Sequence, residues 1–332
     1  MNRNPYALSL VLALLSAFAT SSRANAQATW GGYLQTRFAT DYRSSSGFSI
    51  RRAKLYTNGV APFDSNLSVR VQAIFRWQNA RTFTLQDAYA EYRFPALSVR
   101  AGQFVPEFCL QRLQPDAAIP VVERALVVDA LIPSAESFAR DIGLLLSVHP
   151  SEHWEVSFGV FNGNGGNQAG NNDRRFLYVA RPTFDAMPLD SVHVHGGLSF
   201  AYRNKRDMTF KKIFGTDVPF AGDDFRWGAE WSLSSTRWRL QAEYLQANLG
   251  AEKAWGYYII GNVSLDVTDE AVGLVERFID LDPSTTNHTW YGVGWNHYFA
   301  GNRFKIQCAG RAQFASGRNL YTTTIQLQTF VH

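Results

Sequence analysis

The chain has 332 residues, with 32 Lys and Arg against 28 Asp and Glu, a formal charge of +4, and only 18% charged residues. At 46% hydrophobic and 14% aromatic, it is too apolar for a disordered chain. Two cysteines exclude a disulfide scaffold and a zinc ribbon.

The first element is a targeting segment. Arg3 precedes an apolar run of about 13 residues, Ala7 to Ala19, too short to cross a bilayer as a helix. Ala24-Asn25-Ala26 is a small-x-small cleavage pattern, so 1–26 reads as a signal peptide and 27–332 as one mature domain. Losing Arg3 and Arg23 leaves 30 bases against 28 acids, so any electrostatic role must come from where the charges sit.

Beyond the signal no apolar run is long enough for a membrane helix, and alternation with period two takes over. Leu67, Val69, Val71, Ala73, Phe75 and Trp77 interleave with Ser68, Arg70, Gln72, Ile74, Arg76 and Gln78, giving a strand with one greasy and one basic, polar face. The pattern predicts about 16 strands, at 30–41, 48–60, 66–78, 83–94, 96–104, 141–149, 153–161, 174–184, 190–203, 224–234, 236–247, 254–266, 270–280, 287–299, 302–315 and 320–331. Short turns are expected at 61–65, 95, 150–152, 185–189, 235 and 300–301, and longer loops at 105–140, 162–173 and 204–223. An even number of long strands, with short turns on one side and longer loops on the other, is the pattern of an all-β transmembrane antiparallel barrel. A secreted sandwich also alternates, with the polar face outward. Aromatics near strand ends, and strands longer than those of soluble sheets, favour the barrel. At 273–279 the alternation sends either Glu276 or Arg277 toward lipid unless a bulge or the rim intervenes.

In that barrel the polar parity collects Arg37, Arg52, Lys54, Arg70, Arg76, Arg93, Arg100, Arg203, Arg226, Arg237, Arg239, Arg303, Lys305 and Arg311. Fewer acids share it: Asp41, Asp87, Glu91, Glu155, Glu230, Glu243 and Asp266. Such an excess favours anions, and guanidinium forks suit phosphate oxygens. The competing reading is that these arginines pair with acids and fill the wall. The 105–140 loop, with Arg112, Arg124 and several acids, is expected to fold into the lumen and narrow it, with 119–122 and 126–128 packing it on the wall.

Several segments in order then resemble a known family: Gly31-Gly32-Tyr33-Leu34-Gln35, Ile50-Arg51-Arg52-Ala53-Lys54-Leu55-Tyr56, Asp87-Ala88-Tyr89-Ala90-Glu91-Tyr92, Val99-Arg100-Ala101-Gly102-Gln103-Phe104, Glu123-Arg124, Arg140-Asp141-Ile142-Gly143 and Gly292-Val293-Gly294-Trp295. Over about 31–331 the chain resembles the phosphate-selective porin O and P family of bacterial outer-membrane channels. The resemblance implies a homotrimer of 16-stranded barrels, each pore narrowed by its third loop, with arginines guiding anions. It places Arg51 and Arg52 at the constriction, with Asp87 as its acidic residue. The sequence departs from the family's phosphate channels in carrying Tyr33 where they have an arginine, and no lysine in 105–140.

The expected function is therefore a passive outer-membrane porin for small anions, phosphate among the candidates. Arg51, Arg52, Asp87, Arg112, Arg124, Arg37, Arg70 and Arg76 would line the path. The alternatives are a general or differently selective diffusion porin and, more distantly, a barrel enzyme. No cofactor or metal is expected: His193 and His195 share a face but lack a third ligand, and Gly163-Asn164-Gly165-Gly166 joins two strands rather than a strand and a helix. Outer-membrane lipid and small anions are the expected partners, and Cys109 and Cys308 are not expected to pair.

Overall fold

The computed structural model describes residues 28–76, 82–171, 173–189, 191–285, 287–314 and 319–331, so the expected signal peptide, 1–26, lies outside the described residues. Sixteen strands follow one another: β1 (Ala28–Thr40), β2 (Ser46–Ala61), β3 (Asp64–Arg76), β4 (Thr82–Arg93), β5 (Leu97–Phe104), β6 (Asp141–Ser151), β7 (Trp154–Phe161), β8 (Leu177–Leu189), β9 (Val192–Thr209), β10 (Pro219–Ser234), β11 (Trp238–Leu249), β12 (Glu252–Ser264), β13 (Asp269–Ile279), β14 (Trp290–Tyr298), β15 (Phe304–Gln313) and β16 (Leu320–Val331). Each pairs antiparallel with its sequence neighbours, and β1 pairs with β16 to close the barrel, which leaves no sheet edge. Short helices interrupt the loops: α1 (Leu110–Leu113), α2 (Leu126–Leu131), a 3₁₀ turn (Ala135–Ser137) and α3 (Lys211–Phe214).

The side-chain distribution is inside out. On β16, Gln326 and Gln328 are buried while Ile325 and Leu327 are exposed; on β10, Asp224, Arg226 and Glu230 are buried while Phe225 and Trp231 are exposed. A soluble sandwich requires the reverse. An outer wall of Leu, Val, Phe and Trp is stable only against hydrocarbon, where apolar surface turned outward carries no hydration cost and every strand amide is already paired.

Connections after β2, β4, β6, β8, β10, β12 and β14 take two to five residues, and the longest at the opposite end spans 105–140. Two expected connections are corrected. Residues 185–189 are not a turn, because β8 continues to Leu189 through a register irregularity between Ala186 and Leu189. Of the expected loop 204–223, only 210–218 is a connection, since β9 and β10 stay paired out to Thr209 and Pro219. The run Asn204-Lys205-Arg206-Asp207 is polar on both parities, so alternation could not reveal it as strand. At the ambiguous site Glu276 is buried, while Arg277 sits near the end of β13 with its Nε 3.3 Å from the Asn287 carbonyl.

The buried face is not polar throughout. Leu145, Phe161, Leu177, Val179, Leu245, Ala254, Tyr258, Ile260 and Val272, from β6 to β13, form one apolar cluster with Phe108, Ile119, Val127, Val128, Leu131 and Ile132 of the 105–140 segment. Gly256 permits the contact: a Cβ there would stand 2.3 Å from the Arg277 carbonyl oxygen and 3.0 Å from a Val127 methyl.

Candidate functional site

Segment 105–140 is bonded to strands around the whole circumference. Glu243 accepts hydrogen bonds from the Leu110 and Gln111 amides at 2.8 and 2.6 Å, and Glu276 accepts from Leu126 N at 2.7 Å. These wall carboxylates thus take up free amides at the starts of α1 and α2. Arg226 donates to the Leu131 and Ile132 carbonyls at 2.9 Å each. On the far side Asn296 donates to the Pro120 carbonyl at 2.8 Å and Gln328 to the Ala117 carbonyl at 3.2 Å.

Strict alternation would send Arg51 and Arg52 to opposite faces. A bulge prevents this: Gln35 pairs with Arg52 and Thr36 with Ile50, which leaves Arg51 as the extra residue. A second bulge, with Gln72 opposite Asp87 and Ala73 opposite Leu85, leaves Gln86 extra, and both Gln86 and Asp87 are buried.

The result is a charge network between β1–β4 and the segment. Arg51 grips Glu123 with both ends of its fork, Nε at 2.6 Å and Nη2 at 3.0 Å. Arg37 Nη1 meets the same carboxylate at 2.6 Å and Arg52 Nη2 at 3.5 Å. Asp116 is shared by Lys54 at 2.6 Å, Arg124 at 2.7 Å and Arg52 at 3.5 Å. Asp87 takes Arg140 at 3.0 Å and Arg70 at 3.9 Å. Seven cations, Arg37, Arg51, Arg52, Lys54, Arg70, Arg124 and Arg140, thus share three carboxylates, Asp87, Asp116 and Glu123. Elsewhere the bases are better matched: Arg181 meets both Glu107 and Glu230. Burial pushes the Glu123 carboxyl up, but the Arg51 hydrogen bond and the Arg52, Arg51 and Arg37 charges outweigh it and hold the group at about 2. Asp116, opposed by burial but facing Lys54, Arg52 and Arg124, is likewise held well below the carboxylate range.

Beside the network lies a cavity of about 250 Å³ lined by Arg51, Arg52, Arg112, Arg140 and Lys212, with Asp116, Asp129 and Glu136. Of the residues expected from sequence, Arg51, Arg52 and Arg112 meet here. Arg37 joins through Glu123, Arg124 through Asp116, Asp87 through Arg140, and Arg70 through Asp87. The Arg76 side chain lies outside the described residues. The expected surplus of unpaired arginines is reduced, because the segment's own Glu107, Asp116 and Glu123 supply acids that the strands lack. Lys54, Asp116, Glu123 and Arg140 complete the network; Lys54 was legible from its polar parity, and Asp116, Glu123 and Arg140 as charges of the 105–140 loop, but not their partners.

Tyr33 stacks on Phe330 with ring centroids 5.1 Å apart, and Lys54 Nζ lies 5.5 Å above its ring. His195 bonds Asp185 and Glu230 at 3.0 and 3.1 Å, and among the described residues no cluster of three or more His, Cys, Asp or Glu is placed to hold a metal. Cys109 and Cys308 are both free.

Residues 23–265 match the family model described as phosphate-selective porin O and P. Among solved structures, the anion-selective porin from Comamonas acidovorans superposes with a TM-score of 0.65 at 11% identity, covering 92% of this chain and 100% of that one. OprB of Pseudomonas putida gives 0.64 at 10% identity, covering 92% and 94%. The trimer form of OmpT from Vibrio cholerae gives 0.61 at 10% identity, covering 92% and 99%. At these identities the likeness is one of fold. No curated protein sequence matches the chain. With an inside-out barrel closed by sixteen strands and a family model spanning most of its length, the chain belongs to the phosphate-selective porin O and P family and resides in the bacterial outer membrane.

Proposed function

We propose that this outer-membrane porin lets small anions diffuse passively along a path narrowed by residues 105–140, which lie in the barrel lumen. The observation that carries the reading is the seven-to-three sharing of charge between β1–β4 and the segment, beside a cavity lined by Arg51, Arg52, Arg112 and Arg140. A fixed positive surplus at a narrow section lowers the energy of an anion and raises that of a cation. The lumen position is supported by the hydrogen bonds from the segment to the buried faces of β10, β11, β13, β14 and β16. Family and fold point to a channel rather than an enzyme. Phosphate is the substrate suggested by the family description, and a homotrimer is the assembly the family suggests, with a trimeric form printed for the Vibrio cholerae neighbour. Cleavage after Ala26 would release the mature chain.

The extensive pairing of the arginines favours a second reading, a general diffusion pore with little charge preference. Proteoliposomes separate the two. Under the anion reading, phosphate leaks from vesicles bearing the protein much faster than choline, a cation; equal leakage supports the general pore, and faster choline overturns the anion reading.

A further inference from the structure

Glu123 occupies the middle of the basic cluster in the way a ligand would. Its two carboxylate oxygens take a two-point fork from Arg51, a 2.6 Å contact from Arg37 and a 3.5 Å contact from Arg52. The three arginines come from β1 and from the β2 bulge, while Glu123 comes from the loop, so the seat and its occupant belong to separate elements. The occupant also has somewhere to go. Glu123 itself lines a cavity of about 280 Å³, bounded also by Val122, Asp41, Leu274, Arg311 and Thr324, while its partners Arg51 and Arg52 line the 250 Å³ cavity.

We propose that Glu123 is a tethered competitor for the seat of Arg37, Arg51 and Arg52, the arginines that the anion reading already puts at the narrow section, and that by occupying the seat it sets the affinity for a permeating oxyanion. This rests on the anion reading above and deepens it. The seat is built for two adjacent oxygens on one centre, a carboxylate or a phosphate, rather than for a single spherical halide. An arriving oxyanion takes over the Arg51 fork and Glu123 swings toward the 280 Å³ cavity, which keeps the site weak enough for the ion to leave. Conduction demands that weakness.

The test records chloride current through wild-type protein and Glu123→Gln in planar bilayers at pH 7 while potassium phosphate, and in a separate arm potassium acetate, is titrated in. Glutamine keeps the shape and removes the competing charge. Both oxyanions should then block chloride current at concentrations roughly ten- to hundredfold lower than in wild type, the worth of one hydrogen bond to a charged group. Arg51→Gln should move the half-blocking concentrations the opposite way. Retention of the fast-migrating form on unheated SDS gels establishes that each variant folds. Wild-type anion selectivity with half-blocking concentrations unchanged in Glu123→Gln overturns this proposal alone. Cation selectivity in wild type overturns the anion reading beneath it. A drop for acetate without one for phosphate restricts the site to carboxylates, and the reverse restricts it to phosphate; either supports the competition.

Discussion

Replacing Arg51 and Arg52 together by alanine removes two of the seven cations that share Asp87, Asp116 and Glu123, and leaves Glu123 with Arg37 alone. A unit charge about 5 Å from the ion path changes an ion's energy by about 0.8 kcal/mol in water-like dielectric, and 0.1 M salt reduces this to about 0.5 kcal/mol. Two such charges withdraw about 1 kcal/mol of stabilisation from the anion and relieve the cation by about as much. The anion-to-cation permeability ratio should then fall by roughly thirtyfold. Both side chains leave from a strand whose backbone ladder to β1 and β3 is independent of them, so the barrel should still form. Reversal potentials of reconstituted wild-type and double-mutant channels across a KCl gradient measure the change. A folded double mutant with unchanged reversal potential refutes the assignment of the β2 bulge to the selective section.

Further outcomes follow from the same geometry. Val293 is exposed in the middle of β14, so Val293→Arg places a charge in hydrocarbon and should cost about 2–4 kcal/mol in urea titrations of folding into vesicles; no cost would contradict the inside-out assignment. Glu243→Ala removes the acceptor for two backbone amides of α1 and for the Tyr258 hydroxyl, each bond worth about 0.5–1.5 kcal/mol. Open-channel noise and partial conductance levels should appear while the barrel persists, and a quiet channel would count against the anchoring of the segment. Glu123 drops from its ordinary 4.5 to about 2, so its ion pairs stabilise the docked segment above pH 4.5 and are lost as pH falls toward 2. Current noise should therefore rise in that acid window, and the rise should be absent in Glu123→Gln; an acid rise that survives the substitution would point to a different group.

The strands were largely legible because lipid on one side and polar contacts on the other impose strict alternation, as at Val69, Arg70, Val71 and Gln72. Legibility failed where that constraint lapses. The β9–β10 extension beyond Asn204 has polar residues on both faces, so its pairing carries no hydrophobic signature. Phe161, Leu177 and Val179 are apolar on the buried parity because they pack in one cluster with residues of the 105–140 segment, a contact set by tertiary packing. The bulges at Arg51 and Gln86 are breaks in register, invisible to period two, yet the first brings Arg51 and Arg52 to one carboxylate. The loop acids Asp116 and Glu123 could be counted from sequence, but not their three arginine or lysine partners each, which are separated from them along the chain by up to 86 residues.

Surplus positive charge at the narrowest section of the closed barrel fixes the sign of the reversal potential. For single wild-type channels in a bilayer between 0.1 M and 1 M KCl, the expected sign is the one set by chloride, whereas a value near zero or of the sign set by potassium contradicts the surplus.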